Sequence, residues 1–178
     1  MQRGKISIAK KTLELLKNKS WDKITLSNLL NDQNNKAFNN KNDFLININR
    51  YFDYLLKKNL SSLEQSSSKD MLFEVLMARL DILNTYRKSI KNLLKYFTSY
   101  PNKSIKLIPS FLESIILILT LSNIDVNGIK GAAKIKGIYI LYLAIIYSWS
   151  KDETESLEKT MTTLDKYLTN IDRFINLV

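Results

Sequence analysis

A chain of 178 residues, 45% apolar and 25% charged, has room for a real core and the balance of an ordinary globular protein. Four Gly and two Pro are too few for a turn-rich β-protein, and the lack of Cys excludes disulfides, iron–sulfur clusters and thiolate chemistry. The lack of His removes the commonest general base, the usual zinc ligand and the usual pH switch.

The net charge of +10 favours polyanionic partners, either nucleic acid or an anionic membrane face. Abundance of Lys, Asn and Ile together is also what an AT-rich genome writes into any protein, so the charge has two readings. The opening MQRGKISIAKK has no continuous apolar stretch, and no signal peptide is expected.

Apolar spacing is helical along almost the whole chain. Ile8, Ala9, Leu13 and Leu16 predict a first amphipathic helix. Leu26, Leu29 and Leu30 predict a short second one, with Thr25 as its N-cap. The Asn-rich stretch 32–42 has little room for regular structure. Phe44, Ile48, Tyr51, Phe52 and Leu55 then mark one face of a long helix. The serine-rich run 61–69 reads as a loop, and Ser68 as the cap of the next helix. The chain is therefore expected to divide into a head, 1–60, and a body, 61–178.

In the body, Leu72, Val75, Leu76, Leu80 and Leu83 form one stripe, and Tyr86, Ile90, Leu93, Leu94 and Phe97 another. Pro101 breaks the chain, while Pro109 is tolerated in the first turn of the following helix. Stretches 107–121 and 135–149 are apolar on nearly every face. At about 15 residues each they fall short of the ~20 needed to span a bilayer and read as enclosed core helices. Gly131, Ala133, Gly137 and Ala144 would let another helix approach closely. The last helix carries a narrow seam of Leu157, Met161, Leu164, Leu168, Ile171 and Ile175.

The order of segments resembles the TetR superfamily. WDKITL at 21–26 looks like that family's second-helix start, and FNNKNDFL at 38–45 like its phenylalanine, lysine and leucine signature. FEVLMARLDIL at 73–83, YRKSIKNLL at 86–94, KGIYILY at 136–142 and KTMTTLDKYL at 159–168 resemble a bacterial TetR-like group. That group is related to the Coq-nine lipid-binding proteins of ubiquinone biosynthesis. The resemblance implies an all-α, TetR-like fold: a helix-turn-helix head, and a larger body holding a ligand chamber and a two-fold dimer interface.

Two departures stand out. The interval from Trp21 to Phe38 is about six residues shorter than a TetR head. It lacks the turn and most of the base-reading helix. The stretch DVNGIKG at 125–131 has no tryptophan where Coq-nine proteins carry one.

No catalytic constellation, phosphate loop, metal spacing or cofactor motif is expected. Asp152, Glu153, Glu155 and Glu158 read as helix-terminal capping groups. Arg79, Asp81 and Arg87 form either a junction ion-pair network or a structural pair. Glu113 is either exposed or the polar anchor of an apolar pocket. Lys10, Lys11, Lys17 and Lys19 form a solvated face or a docking face for anionic lipid or DNA phosphate.

With the resemblance, Met77, Phe97, Phe111, Ile115, Tyr139 and Tyr142 are the expected lining of a chamber for an apolar, lipid or isoprenoid-like molecule. Gly137, Leu157, Met161, Leu164 and Leu168 are the expected homodimer interface. The expected function is non-catalytic, Coq-nine-like binding of that molecule, in the cytoplasm or peripheral at a membrane. The alternative is a TetR-family regulator binding DNA.

Overall fold

The computed structural model describes residues 1–30, 38–60 and 66–177, with side chains to residue 170. Residues 31–37, on which the expectation of a shortened helix-turn-helix rests, and the start of the serine-rich run lie outside the described residues, as do the side chains of Ile171 and Ile175. Among the described residues the protein is all-α, with no strand. Its helices are α1 (Arg3–Asn18), α2 (Leu26–Leu29), α3 (Lys41–Asn59), α4 (Ser68–Thr85), α5 (Arg87–Ser99), α6 (Pro101–Ser104), α7 (Ile108–Leu121), α8 (Gly128–Lys151) and α9 (Glu158–Leu177). Two 3-10 turns, Trp21–Lys23 and Ile105–Leu107, complete the order.

Packing divides these elements differently from the expected boundary at residue 60. The first unit is Met1–Lys58 with Ile82–Phe111, and the second is Asn59–Asp81 with Leu112–Val178. The reason is local. Helix α5 packs on α1, where the Ser89 hydroxyl donates to the Leu13 carbonyl (2.6 Å). The Asn92 amide donates to the carbonyls of Leu16 (2.8 Å) and Lys17 (3.3 Å). The Leu16 and Lys17 carbonyls lie in the last turn of α1, where the helix has no N–H of its own to offer, so α5 supplies a donor.

The first unit also holds a cluster of aromatic rings. Phe38 stacks on Phe44 with centroids 4.4 Å apart, and Phe52 lies 5.6 Å from Tyr86. The Tyr51 and Tyr86 hydroxyls are 3.1 Å apart, and burial, then that bond, pushes the Tyr51 phenol up. Asn47 donates to the Lys5 carbonyl at 2.8 Å, and Asn49 to both the carbonyl and the hydroxyl of Ser110 at 2.9 Å. On α3 the fully buried leucine is Leu56, while Leu55 is half-buried. Lys41 is folded inward: its ammonium donates to the Trp21 carbonyl and lies 4.6 Å from the Trp21 ring centroid. Burial lowers its pKa, against the pull of Asp22.

In the second unit α9 lies along α8. Buried faces are mainly aliphatic: Leu72, Val75, Leu76 and Leu80 on α4; Ile115, Ile118 and Leu119 on α7; Ile138, Leu141 and Ile145 on α8, with Trp149 at its end. The cap of α4 is Ser67, one residue before the expected Ser68. Its hydroxyl accepts the Asp70 N–H at 3.2 Å. Gly131 serves its own loop and leaves no room for a second helix, because a Cβ there would lie 2.0 Å from the Val126 carbonyl carbon. Helix α8 runs 24 residues, well beyond the expected apolar stretch. By length and composition one helical run among the described residues, Pro101–Leu121, is long and apolar enough to cross a membrane.

Candidate functional site

The most unusual group in the second unit is Arg79. Its position on α4 continues the stripe of Leu72, Val75 and Leu76, so helical geometry turns it inward, where it is 2% exposed. Its Nε donates to the Tyr142 hydroxyl at 3.4 Å, across 63 residues of sequence. Tyr142 belongs to the buried face of α8, with Ile138, Leu141 and Ile145. A phenol that accepts from a guanidinium keeps its own proton to donate. No described group accepts that proton. A buried cation and a buried phenol therefore meet among largely aliphatic helices.

Of the six residues expected to line a chamber, Met77, Ile115, Tyr139 and Tyr142 belong to the second unit. Ile115 and Tyr142 are buried there, and Met77 and Tyr139 half-buried. Phe97 and Phe111 belong to the first unit, both half-buried. In that unit Phe97 lies 5.5 Å from the Tyr96 ring. Nothing in the residue pattern marks this division, because helical periodicity says which side of a helix is buried but not against what.

The first unit contains an open cleft of about 570 Å³ between the start of α1 and α3, lined by Lys5, Phe38, Asn39, Asp43, Asn47 and Arg50 among others. It lies in the expected head, outside the body, 61–178, where a chamber was expected. Asp43 does structural duty at its edge, accepting the N–H groups of Asn39 (2.7 Å) and Asn40 (2.9 Å) ahead of α3.

The junction of α8 and α9 is built on Asp152, which is 1% exposed. Its Oδ1 accepts from the Thr154 N–H (3.1 Å) and hydroxyl (2.6 Å), and its Oδ2 from the Thr160 N–H and hydroxyl (both 2.8 Å). Burial alone would raise the carboxyl, but these bonds outweigh it and hold the group well below the usual carboxylate range. Asp152 thus caps α9 from a distance of six residues. This extends the expected capping role and requires no ligand.

Among the expected dimer residues, Leu157, Leu164 and Leu168 are buried within the chain itself, at 2%, 0% and 2% exposure. Gly137 is half-buried, and Met161 is 40% exposed. The apolar surface left open is the far side of α8: Ile129, Ile140, Leu143 and Tyr147 are 91%, 67%, 49% and 68% exposed. These residues recur at helical spacing opposite the buried face.

Some of the other singled-out charges have partners within the chain. Arg87 donates to Asn84 Oδ1 at 3.0 Å. Lys17 pairs with Glu14 at 2.7 Å, and Lys11 reaches the Leu29 carbonyl at 3.5 Å. Glu113 is exposed. Among the described residues no group of three acidic side chains could hold a metal ion. Compared with known proteins, the chain matches no family model, no curated sequence and no solved structure.

Proposed function

We propose that the protein is a non-catalytic, TetR-like binding protein whose second unit holds an apolar, lipid or isoprenoid-like molecule by a hydrogen-bonding head. The observation that carries this reading is the Arg79–Tyr142 pair, a guanidinium and a phenol with an available proton inside an aliphatic helical unit. A carbonyl or carboxylate head would accept the Tyr142 proton, while Met77 and Ile115 offer apolar contact to the chain behind it. Short amino-terminal helices, a long α3 and a paired α8 and α9 are the element order that supports the TetR-like architecture. A Coq-nine-like role in ubiquinone biosynthesis is the form this binding would take if the cargo is a polyprenylated ring.

The protein acts as a homodimer through the open side of α8 in this reading. An antiparallel pair of α8 helices with its two-fold axis at Ile140 places Leu143 opposite Gly137, Tyr147 opposite Ala133, and Lys136 opposite Ala144. Large residues meet small ones at each step, the self-complementarity an isologous contact requires. Ile140→Glu is expected to give monomers by light scattering with unchanged helicity. A wild-type monomer overturns the interface.

The binding reading is tested by native mass spectrometry of lipids retained on purification, with Tyr142→Phe alongside. Loss of the hydroxyl is expected to lower stability by about 1 kcal/mol and to remove the bound species. A wild-type protein that carries no lipid, and shows no rise in melting temperature with ubiquinone-like or fatty-acid ligands, refutes the reading. Nanomolar, sequence-selective DNA binding at physiological salt would replace it with the regulator.

A further inference from the structure

The charge of the protein is unevenly placed. Residues 82–112 carry Arg87, Lys88, Lys91, Lys95, Lys103 and Lys106 and not one Asp or Glu, in a chain whose net charge is +10. Genome composition would spread lysine through the sequence and has no reason to empty a 31-residue stretch of acids. The stretch runs from the end of α4 through α5, α6 and the turn Ile105–Leu107 into α7, and its most exposed part is the corner where α5 gives way to α6.

At this corner Thr98, Ser99, Tyr100, Pro101, Asn102 and Lys103 are all exposed. So are Lys95 and Lys106. Among them stand two large apolar side chains, Tyr100 at 49% exposure and Ile105 at 61%. The Tyr100 ring is held in place, 5.2 Å from Tyr96. Asp22, on the neighbouring 3-10 turn, is the acid that acts here. It adds to burial in raising the Tyr96 phenol, and its carboxylate is engaged by the Ser20 hydroxyl. Neighbouring Leu107 is buried, so the corner is anchored to its unit.

We propose that this corner docks on the surface of an anionic lipid bilayer. Tyr100 and Ile105 enter the interfacial layer, and Lys95, Lys103 and Lys106 meet the headgroups. The arrangement has the two parts such docking needs, an apolar wedge and three cations around it, carried by a stretch that has no acid of its own. Tyrosine suits the boundary because its ring is apolar and its hydroxyl wet. Lipid is favoured over nucleic acid because exposed isoleucine gains from an acyl layer and gains little from a phosphate backbone. The run Pro101–Leu121 does not need to span the membrane, since Ile115, Ile118 and Leu119 are fully buried in the fold. The proposal is independent of the cargo reading: Tyr142→Phe leaves docking intact, and loss of docking leaves cargo retention intact.

The test is co-sedimentation of the whole protein with vesicles of phosphatidylcholine alone, or with about a third phosphatidylglycerol. Binding is expected only to the anionic vesicles and is lost when NaCl reaches about 0.5 M. Each of Lys95→Gln, Lys103→Gln and Lys106→Gln should weaken partitioning about fivefold, and Ile105→Ser about tenfold. All four positions are exposed, so circular dichroism should show wild-type folding. Tyr100→Trp should show a blue-shifted emission on anionic vesicles, which reports insertion and not mere electrostatic contact. The proposal is overturned by absence of anionic-vesicle binding, or by vesicle binding that survives the triple lysine change or Ile105→Ser. It is also overturned if the lysine changes abolish binding to duplex DNA while vesicles bind neither form.

Discussion

The two units use polar groups in opposite ways. In the first, single side chains reach single carbonyls along its length: Asn47 to Lys5, Ser89 to Leu13, Asn92 to Leu16, and Asn49 to Ser110. In the second, polarity is gathered mainly at two points, Arg79 with Tyr142 and Asp152 with Thr154 and Thr160, and apart from Ser114, Ser122 and Trp149 the interior around them is largely aliphatic. Distributed ties fix the register of helices with no tie indispensable. Concentrated ones make a few positions decisive.

That contrast can be broken most sharply at Leu164, which is fully buried where α9 meets the aliphatic interior. Leu164→Glu places a charge where no polar group is gathered to receive it, and should cost at least about 4 kcal/mol. Urea unfolding followed by circular dichroism would measure this. An unchanged midpoint would show that α9 does not rest on its leucines.

Asp152→Ala is expected to cost about 3 kcal/mol, since it strips the acceptor from four donors at one junction. The same group makes stability depend on pH. Its carboxyl is held below its unfolded value, so its bonds contribute fully above about pH 4 and are lost as the pH falls through the folded value. Asp152→Asn should therefore flatten the acid side of the stability profile. Equal slopes for the two proteins would assign the acid response elsewhere.

The smallest effects are expected in the first unit, where Ser89→Ala and Asn92→Ala should each cost about 1 kcal/mol. The double variant should come close to the sum, because the two bonds go to different turns of α1. A loss several times larger from either one alone would mean that this unit, too, hangs on a single node.

Much of the helical layout was legible in the sequence. Ile8, Ala9, Leu13 and Leu16 are all buried, as are Phe44, Ile48, Tyr51 and Phe52, because 3.6-residue periodicity records which side of a helix avoids water. The same periodicity was silent on partners. Of the expected seam of α9, Leu157, Leu164 and Leu168 are buried and Met161 is exposed, and periodicity could not say that α9 packs along α8 of the same chain. It also placed the unit boundary too simply, since Ser89 and Asn92 look like ordinary helix polars until their distant carbonyls are known. Arg79 was noticed for its charge, yet its place in the Leu72–Leu76 stripe was the stronger signal and foretold burial. Gly131 was read as an opening for another helix, because the fold-back of Val126 onto it leaves no trace in composition.

The interleaving of the two units has a consequence for synthesis on the ribosome. The first 58 residues emerge without α5, and the last turns of α1 then lack the Ser89 and Asn92 donors that complete them. That unit can close only after residue 111 has left the exit tunnel, by which time the strand of chain 59–81 has been waiting with its aliphatic face uncovered. Neither unit can finish before the other has begun. A nascent chain paused between residues 60 and 110 would be the species most exposed to chaperones and proteases.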